Sequence, residues 1–133
     1  MLTALAALGI FSATCVYAVG PPFSWDTVPV YSHMCNKSGP FDAGTVQQLA
    51  RFPIVTVEKG QAVDDEGWAE DKIVAALKQV REVNPKVHTV MYLNSVLSWE
   101  QYHLSTVIAS DPKYQLLNSS GLPVRLHGDH SFK

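Results

Sequence analysis

The sequence predicts an α/β fold of strand–helix units on a parallel sheet, and three observations carry that prediction. Three apolar, strand-like runs recur along the chain: Val28–Asn36, Ile54–Gly60 and Val87–Ser95. Runs this rich in Val and Ile suit strands buried on both faces of a parallel sheet. Amphipathic, helix-like segments separate the runs, which is the pattern of βαβ units. Each run also ends in polar residues, and folds of this class carry their functional groups at the carboxyl ends of strands. The face so defined presents His33, Cys35, Asn36, Glu58, Lys59, Tyr92 and Asn94.

The first twenty residues carry no charged side chain and contain an apolar core. Val16-Tyr17-Ala18 ends in a residue small enough for signal peptidase, and Gly20-Pro21-Pro22 breaks any helix that precedes it. Residues 1–18 are therefore expected to be a secretory signal peptide, cleaved after Ala18. The competing reading is a membrane anchor, but a span needs about 20 apolar residues and this stretch is borderline. The expected product is a secreted single domain, residues 19–133, with no membrane attachment.

Pro21–Thr27 is an irregular lead-in that places Trp25 and Asp26 just before the first strand. Asp42 is a helix N-cap. Phe41 before it and Val46 after it match a hydrophobic staple, and Val46, Leu49 and Ala50 form an inward stripe. Pro53 ends that segment. In the second helix Ala69, Ile73, Leu77 and Val80 recur at helical spacing. Its Glu70 and Asp71 near the start, and Lys78 and Arg81 near the end, suit the helix dipole. Gln61–Gly67 before it is an acidic, solvated loop, and Asn84-Pro85 stops the helix. Ser98 followed three residues later by Gln101 predicts a capping box and a short helix to about Ile108. Asp111-Pro112 breaks it. Tyr114–Leu117 and Leu122–Leu126 flank Asn118-Ser119-Ser120-Gly121 as a hairpin.

Composition narrows the function classes. The 133 residues are 47% apolar and 17% charged, which is globular rather than disordered. A net charge of −2 with no basic run gives no footprint for nucleic acid. Cys15 would leave with the signal peptide, so Cys35 is either a buried free thiol or awaits a partner elsewhere. Two glycosylation sequons fit secretion: Asn36-Lys37-Ser38 and Asn118-Ser119-Ser120. Asn118, in a polar turn, is the better acceptor, because a glycan on Asn36 would obstruct the polar face.

FSWDTVPVYSHMCNKSGPF, FPIVTVEKGQ and NPKVHTVMYLNSVLSW, with the later DPKYQLLNSSGLPVRLHGDHSFK, resemble the amino-terminal part of the hypothetical glycosyl hydrolase families. The resemblance implies a TIM-barrel catalytic domain, here as a partial (β/α)8 barrel. It covers about the first three βα units and a hairpin-like extension. A TIM barrel takes about 250 residues. An open three-strand piece would leave strand edges and an apolar sheet face exposed. The implied activity is hydrolysis of O-glycosidic bonds by paired carboxylates, without an organic cofactor, on an oligo- or polysaccharide.

Within that expectation Glu58 is the candidate catalytic carboxylate, with sugar-hydroxyl binding or pairing to a base as its other roles. The main catalytic carboxylates are expected on later strands, beyond Lys133. Lys59 is expected to alternate to the other side of the strand from Glu58. His33, Asn36, Lys59, Tyr92 and Asn94 are candidate sugar-binding groups, against structural roles such as barrel filling for Tyr92. Trp25 and Trp99 are candidate platforms for the C–H face of a sugar, whereas Trp68 is expected in the core. His127 and His130 with Asp129 match no common metal spacing, and Asp64-Asp65-Glu66 lacks the alternation of a calcium loop, so no metal is expected. The competing functions are a secreted carbohydrate-binding or interaction protein without catalysis, and a truncated product with no function of its own. No serine elbow, phosphate loop or dinucleotide fingerprint is present.

Overall fold

The computed structural model describes residues 20–21, 24–126 and 130–132. The expected signal segment with Cys15, and the His127–Asp129 stretch, lie outside them. The fold is mixed α/β, with a small parallel sheet and helices alternating along the chain. The order is β1 (Tyr31–Met34), α1 (Ala43–Leu49), β2 (Ile54–Val57), α2 (Ala69–Val83) and β3 (His88–Met91). There follow β4 (Leu97–Ser98), α3 (His103–Ser110), a 3-10 turn at Pro112–Tyr114, β5 (Arg125–Leu126) and β6 (His130–Phe132). No helix among the described residues is long and apolar enough to cross a membrane.

The strands β1, β2 and β3 pair in sequence order, all parallel, with Tyr31 opposite Ile54 and Ile54 opposite His88. Side chains alternate along a strand, so this register sorts them into two faces. Ser32, Met34, Val55, Val57, Thr89 and Met91 share one face. Val55 and Val57 there are 0% exposed, packed with Val46 and Leu49 of α1 and Ile73, Leu77 and Val80 of α2. The opposite face carries Tyr31, His33, Ile54, Thr56, His88 and Val90, and Tyr31 is 60% exposed. Helices therefore cover one face of the sheet and leave the other open. The expectation of strands buried on both faces holds for only one of them among the described residues.

The helices form where the periodicity places them. Asp42 caps α1, its Oδ1 accepting from the Thr45 N–H at 2.9 Å, and Phe41 and Val46 are both buried. Ala69, Ile73, Leu77 and Val80 form the buried stripe of α2, and Asn84 ends it. The hairpin is also present. Leu117 bridges Pro123 antiparallel, and Gly121 takes the positive φ of +74° that its turn requires.

The start of α3 corrects the capping-box expectation. Ser98 lies in β4, where Leu97 and Ser98 pair with Phe132 and Ser131 of β6, so its backbone is committed to a sheet rather than to a helix cap. The helix begins later, at His103, and the preceding Tyr102 makes no side-chain cap. Glu70 of α2 takes over that role. Its two carboxylate oxygens accept the His103 and Leu104 N–H groups at 2.9 and 3.0 Å. Unpaired N–H groups and the dipole make a helix start a seat for an anion. Glu70→Ala is expected to cost about 1 kcal/mol and to speed amide exchange at Leu104 and Ser105, read by hydrogen-exchange NMR. Unchanged exchange there would show that α3 does not depend on this cap.

Trp68 is the second correction. It is 40% exposed and meets His103 edge-on at 5.4 Å, so it lies on the surface between α2 and α3 and not in the core. The buried stripe of α2 begins one residue later, at Ala69, which turns the indole outward.

Candidate functional site

The three strands of the parallel sheet stop at Met34, Val57 and Met91, and the loops that follow converge at the carboxyl edge of the sheet. Continuing the alternation puts Cys35, Glu58 and Tyr92 toward the open face. The contacts agree. The Cys35 thiol donates to Glu58 Oε1 at 3.4 Å, and Lys59 Nζ pairs with Glu58 Oε2 at 3.0 Å. Lys59 Nζ also lies 5.4 Å from the centre of the Tyr92 ring and 4.6 Å from that of Trp99. Strand, loop and aromatic residues thus meet around one carboxylate.

That pairing corrects the expectation that Glu58 and Lys59 diverge. The strand ends at Val57, so strict alternation no longer applies, and a four-carbon lysine stem is long enough to fold back over its neighbour. The ammonium gains a carboxylate and two ring faces at once.

The other candidates are placed as follows. His33 is exposed on the open sheet face, with its ring 5.7 Å from that of Tyr92. Asn94 Nδ2 donates to the Tyr92 hydroxyl at 3.3 Å, while its Oδ1 holds the Val96 and Leu97 N–H groups. Asn36 Nδ2 donates to the carbonyls of Ser38 at 2.7 Å and Pro40 at 3.2 Å, so this amide shapes its own loop. Asn118 is different: its Oδ1 accepts from the Ser120 and Leu122 N–H groups, and the residue is exposed at the hairpin tip. Trp25 is 92% exposed, on the lead-in to the amino end of β1. The structure therefore brings together His33, Glu58, Lys59, Tyr92, Asn94 and Trp99, and leaves Trp25 and Asn118 apart.

Sequence reasoning missed two residues here. Tyr102 is buried beneath the cluster and its hydroxyl donates to the Tyr92 carbonyl. Gln61 is 1% exposed, its Oε1 accepting from the Asn36 N–H and its Nε2 donating to the Gly39 carbonyl. It clamps the loop after β1 to the loop after β2. A glutamine at the head of an acidic stretch carries no signal of burial, whereas Tyr102 falls three residues after Trp99 in a run read only as a short helix.

The electrostatics fix the protonation state. Burial pushes the Glu58 carboxyl upward, but the Lys59 ammonium, the Cys35 thiol and the Gly60 N–H outweigh it and hold the group below its ordinary 4.5. Burial, then the hydrogen bond to Glu58 and the charge of Glu58, raise the Cys35 thiol above 9.0, against smaller opposing effects of Lys59 and Lys37. At neutral pH the site is a carboxylate with a protonated thiol donor. Burial, followed by the charges of Glu58 and Glu70, pushes Tyr102 to about 12, so its hydroxyl stays a donor.

A depressed carboxyl means that the unfolded chain takes up its proton first as pH falls. The stability contributed by the Glu58 contacts is full above the ordinary 4.5 and is lost as pH drops through the lower folded value. Glu58→Gln is therefore expected to flatten the acid limb of a pH-dependent thermal melt. An unchanged limb would place the acid sensitivity on other groups.

Gly60 packs against this pair. A Cβ at that position would stand 2.8 Å from Glu58 Oε1 and 2.9 Å from Cys35 Sγ, and the backbone there has no positive φ. The backbone would accept alanine, but the side chains would have to part. Gly60→Ala is expected to break the thiol–carboxylate contact, lower the Cys35 pKa toward its ordinary value and speed its alkylation by iodoacetamide. An unchanged pH–rate profile, read on the Cys35 peptide by mass spectrometry, would show that the pair yields without separating.

A cavity of about 720 Å³ lies at the other end of the sheet, lined by Val28, Val30, Arg51, Phe52 and Pro53. It is remote in the fold from the carboxyl-end cluster. Among the described residues no group of three His, Cys, Asp or Glu side chains could hold a metal ion. Comparison with protein-family models and with curated proteins gives no match to this chain.

Proposed function

We propose that the three βα units open a TIM-barrel domain of the glycoside hydrolase type, secreted after loss of residues 1–18. The carboxyl-end cluster then forms part of a sugar site. Sequential parallel strands with helices on one face are what a barrel wall requires, its open face being the interior. The observation that carries the reading is Glu58, an oriented carboxylate at the carboxyl end of β2, bounded by Tyr92 and Trp99. Sugar recognition uses such a pairing: charged acceptors for hydroxyls and flat rings for C–H faces.

Glycoside hydrolysis needs two carboxyls, one protonated to release the leaving oxygen and one ionised as nucleophile or base. Glu58, held anionic, suits the second role or that of a hydroxyl acceptor. A proton donor needs a raised pKa. Glu70 is committed to the start of α3. The partner carboxyls belong to later strands on this reading, so residues 19–133 bind sugar and do not cleave it.

The competing reading, a carbohydrate-binding protein without catalysis, is favoured by one feature. Both Glu58 oxygens already have partners, the Cys35 thiol and the Lys59 ammonium, which suits an acceptor held in place for binding better than a nucleophile or base. Titration of residues 19–133 with a panel of neutral and acidic oligosaccharides, scored for binding and for new reducing ends, tests both. Binding weakened about tenfold or more by Glu58→Gln or Trp99→Ala is expected. Absence of binding to every member would remove the sugar site, and release of reducing ends would place a complete catalytic pair in this chain. Sequencing the transcript through the Lys133 codon separates the two readings. Further strand–helix units with strand-end carboxylates support the hydrolase, and a stop codon supports binding alone.

A further inference from the structure

In a parallel sheet every segment that enters a strand arrives at the same end. The segments before β1, β2 and β3 therefore lie side by side at the amino edge, away from the Glu58 cluster. Three cavities adjoin there. The one of about 720 Å³ shares Arg51, Phe52 and Pro53 with one of about 260 Å³. That one shares Lys86, Val87 and His88 with a third of about 490 Å³, which Arg81 also lines. Together they form a groove across the ends of all three strands.

Its charge is one-sided. Arg51, Arg81 and Lys86 line the groove, with the His88 imidazole among them, and no Asp or Glu does. This is so in a chain whose 12 Asp and Glu outnumber its 10 Lys and Arg. The three cations are exposed, and none of them is in an ion pair with a described residue. Helix ends account for only one of them. Arg81 lies in the last turn of α2, where a cation suits the dipole. Arg51 follows the end of α1, but the Ala50 carbonyl there already accepts from Asn84 Nδ2 at 2.8 Å. Lys86 lies beyond α2 altogether. A cleft lined by one sign of charge concentrates ions of the other. Guanidinium groups fork onto carboxylates and similar oxyanions.

Arg51 stands before β2 and Lys86 before β3, so a ligand that meets both carries anionic groups at intervals along its length. The largest cavity adds Val28, Pro29, Val30 and Pro53, aliphatic surface suited to C–H faces. Nucleic acid bases stack on aromatic platforms, and Phe52 is the one Phe, Tyr or Trp in the lining.

We propose that this groove binds an acidic oligosaccharide, carrying carboxylate or sulfate groups, at a site separate from the Glu58 cluster. The choice of a sugar rests on the secreted, sugar-binding reading above, whereas the choice of an anion rests on the groove alone. The test is calorimetric titration of the full chain, with amide shifts to locate each ligand. The probes are tetragalacturonate, a heparin-derived tetrasaccharide, maltotetraose and an oligothymidylate. One or both acidic sugars are expected to bind, more weakly as salt rises, with shifts at Arg51, Phe52, Lys86 and His88. The first two probes separate carboxylate from sulfate recognition. Arg51→Gln combined with Lys86→Gln should weaken binding about tenfold, and Glu58→Gln should leave it unchanged. Should the double variant not fold, Arg81→Gln alone should weaken binding about threefold. Binding undiminished by these changes, or shifts confined to Glu58, Tyr92 and Trp99, would overturn this groove and leave the first site standing. Equal shifts here with maltotetraose would overturn the role of charge. Oligothymidylate bound as tightly as the acidic sugars would overturn the choice of a sugar. Shifts in the groove with no probe would overturn the proposal, and maltotetraose shifts at Glu58 would then still support the first site.

Discussion

Tyr102→Ala is expected to destabilise the protein by about 3–5 kcal/mol, the cost typical of emptying a buried aromatic site. The ring is 2% exposed and belongs to the same core as Val57, Ile73 and Leu77. Its hydroxyl reaches the Tyr92 carbonyl, so the one side chain ties the end of β3 to the segment entering α3. Small domains have about 5–15 kcal/mol in all, so this variant stands near the unfolding threshold. Tyr102→Phe separates the two contributions: it keeps the ring and loses the hydroxyl, for about 1–2 kcal/mol. Denaturant melts of both variants, fitted with a common slope, check the pair. Equal losses would mean that the hydroxyl bond, and not the packing, dominates. A near-neutral Tyr102→Ala would mean that the segment around α3 is not part of the cooperative unit.

Gln61→Leu is expected to cost about 2–3 kcal/mol although it places an apolar side chain in a buried position. The gain in apolar burial does not offset what is stranded: the Asn36 N–H and the Gly39 carbonyl both lose their partner. The neighbouring backbone has little room to adapt, because Ala62 already sits at φ +50°, buried, with its N–H held by the Asn36 carbonyl. Two surface contacts would still join the loops, Ser38 Oγ to Asp64 at 2.7 Å and the Gly39 N–H to Asp65 at 3.0 Å. Local loosening should therefore precede global loss, with faster amide exchange at Gly39 and Ala62 than at Val55. Gln61→Glu keeps the acceptor for the Asn36 N–H but turns a buried carboxylate oxygen toward the Gly39 carbonyl, and is expected to cost at least as much at neutral pH. A Gln61→Leu melt within 0.5 kcal/mol of the parent, a margin usual for neutral surface changes, would show that water replaces the clamp.

Local chemistry made much of this architecture legible. Val46, Leu49, Ile73, Leu77 and Val80 declare their buried faces through spacing alone, and Asp42 and Asn84-Pro85 mark helix ends by bonds to near neighbours. The site residues at strand ends were legible for the same reason. What the chain's own pattern could not reveal depends on partners distant in sequence. Ser98 looked like a cap because its spacing to Gln101 is right, yet its backbone pairs with β6. Glu58 and Lys59 looked divergent because the end of β2 at Val57 is invisible to an alternation rule. Gln61 sits among acids and reads as solvated, though two loops close around it. Which tryptophan is inside followed from where α2 starts its buried stripe, a matter of one residue.

The carboxylate that starts α3 belongs to a helix 33 residues upstream. That spacing sets an order of assembly. A helix of eight residues is too short to persist on its own. On a ribosome Glu70 leaves the exit tunnel before His103 does, and α2 can settle on the β1–β2 pair with its acid already in place. The later segment then meets a finished seat and closes onto it. A circular permutant that began between α2 and α3 would reverse this order, asking the segment to wait unformed for its anchor. Its refolding should be slowed more than its final stability is lowered.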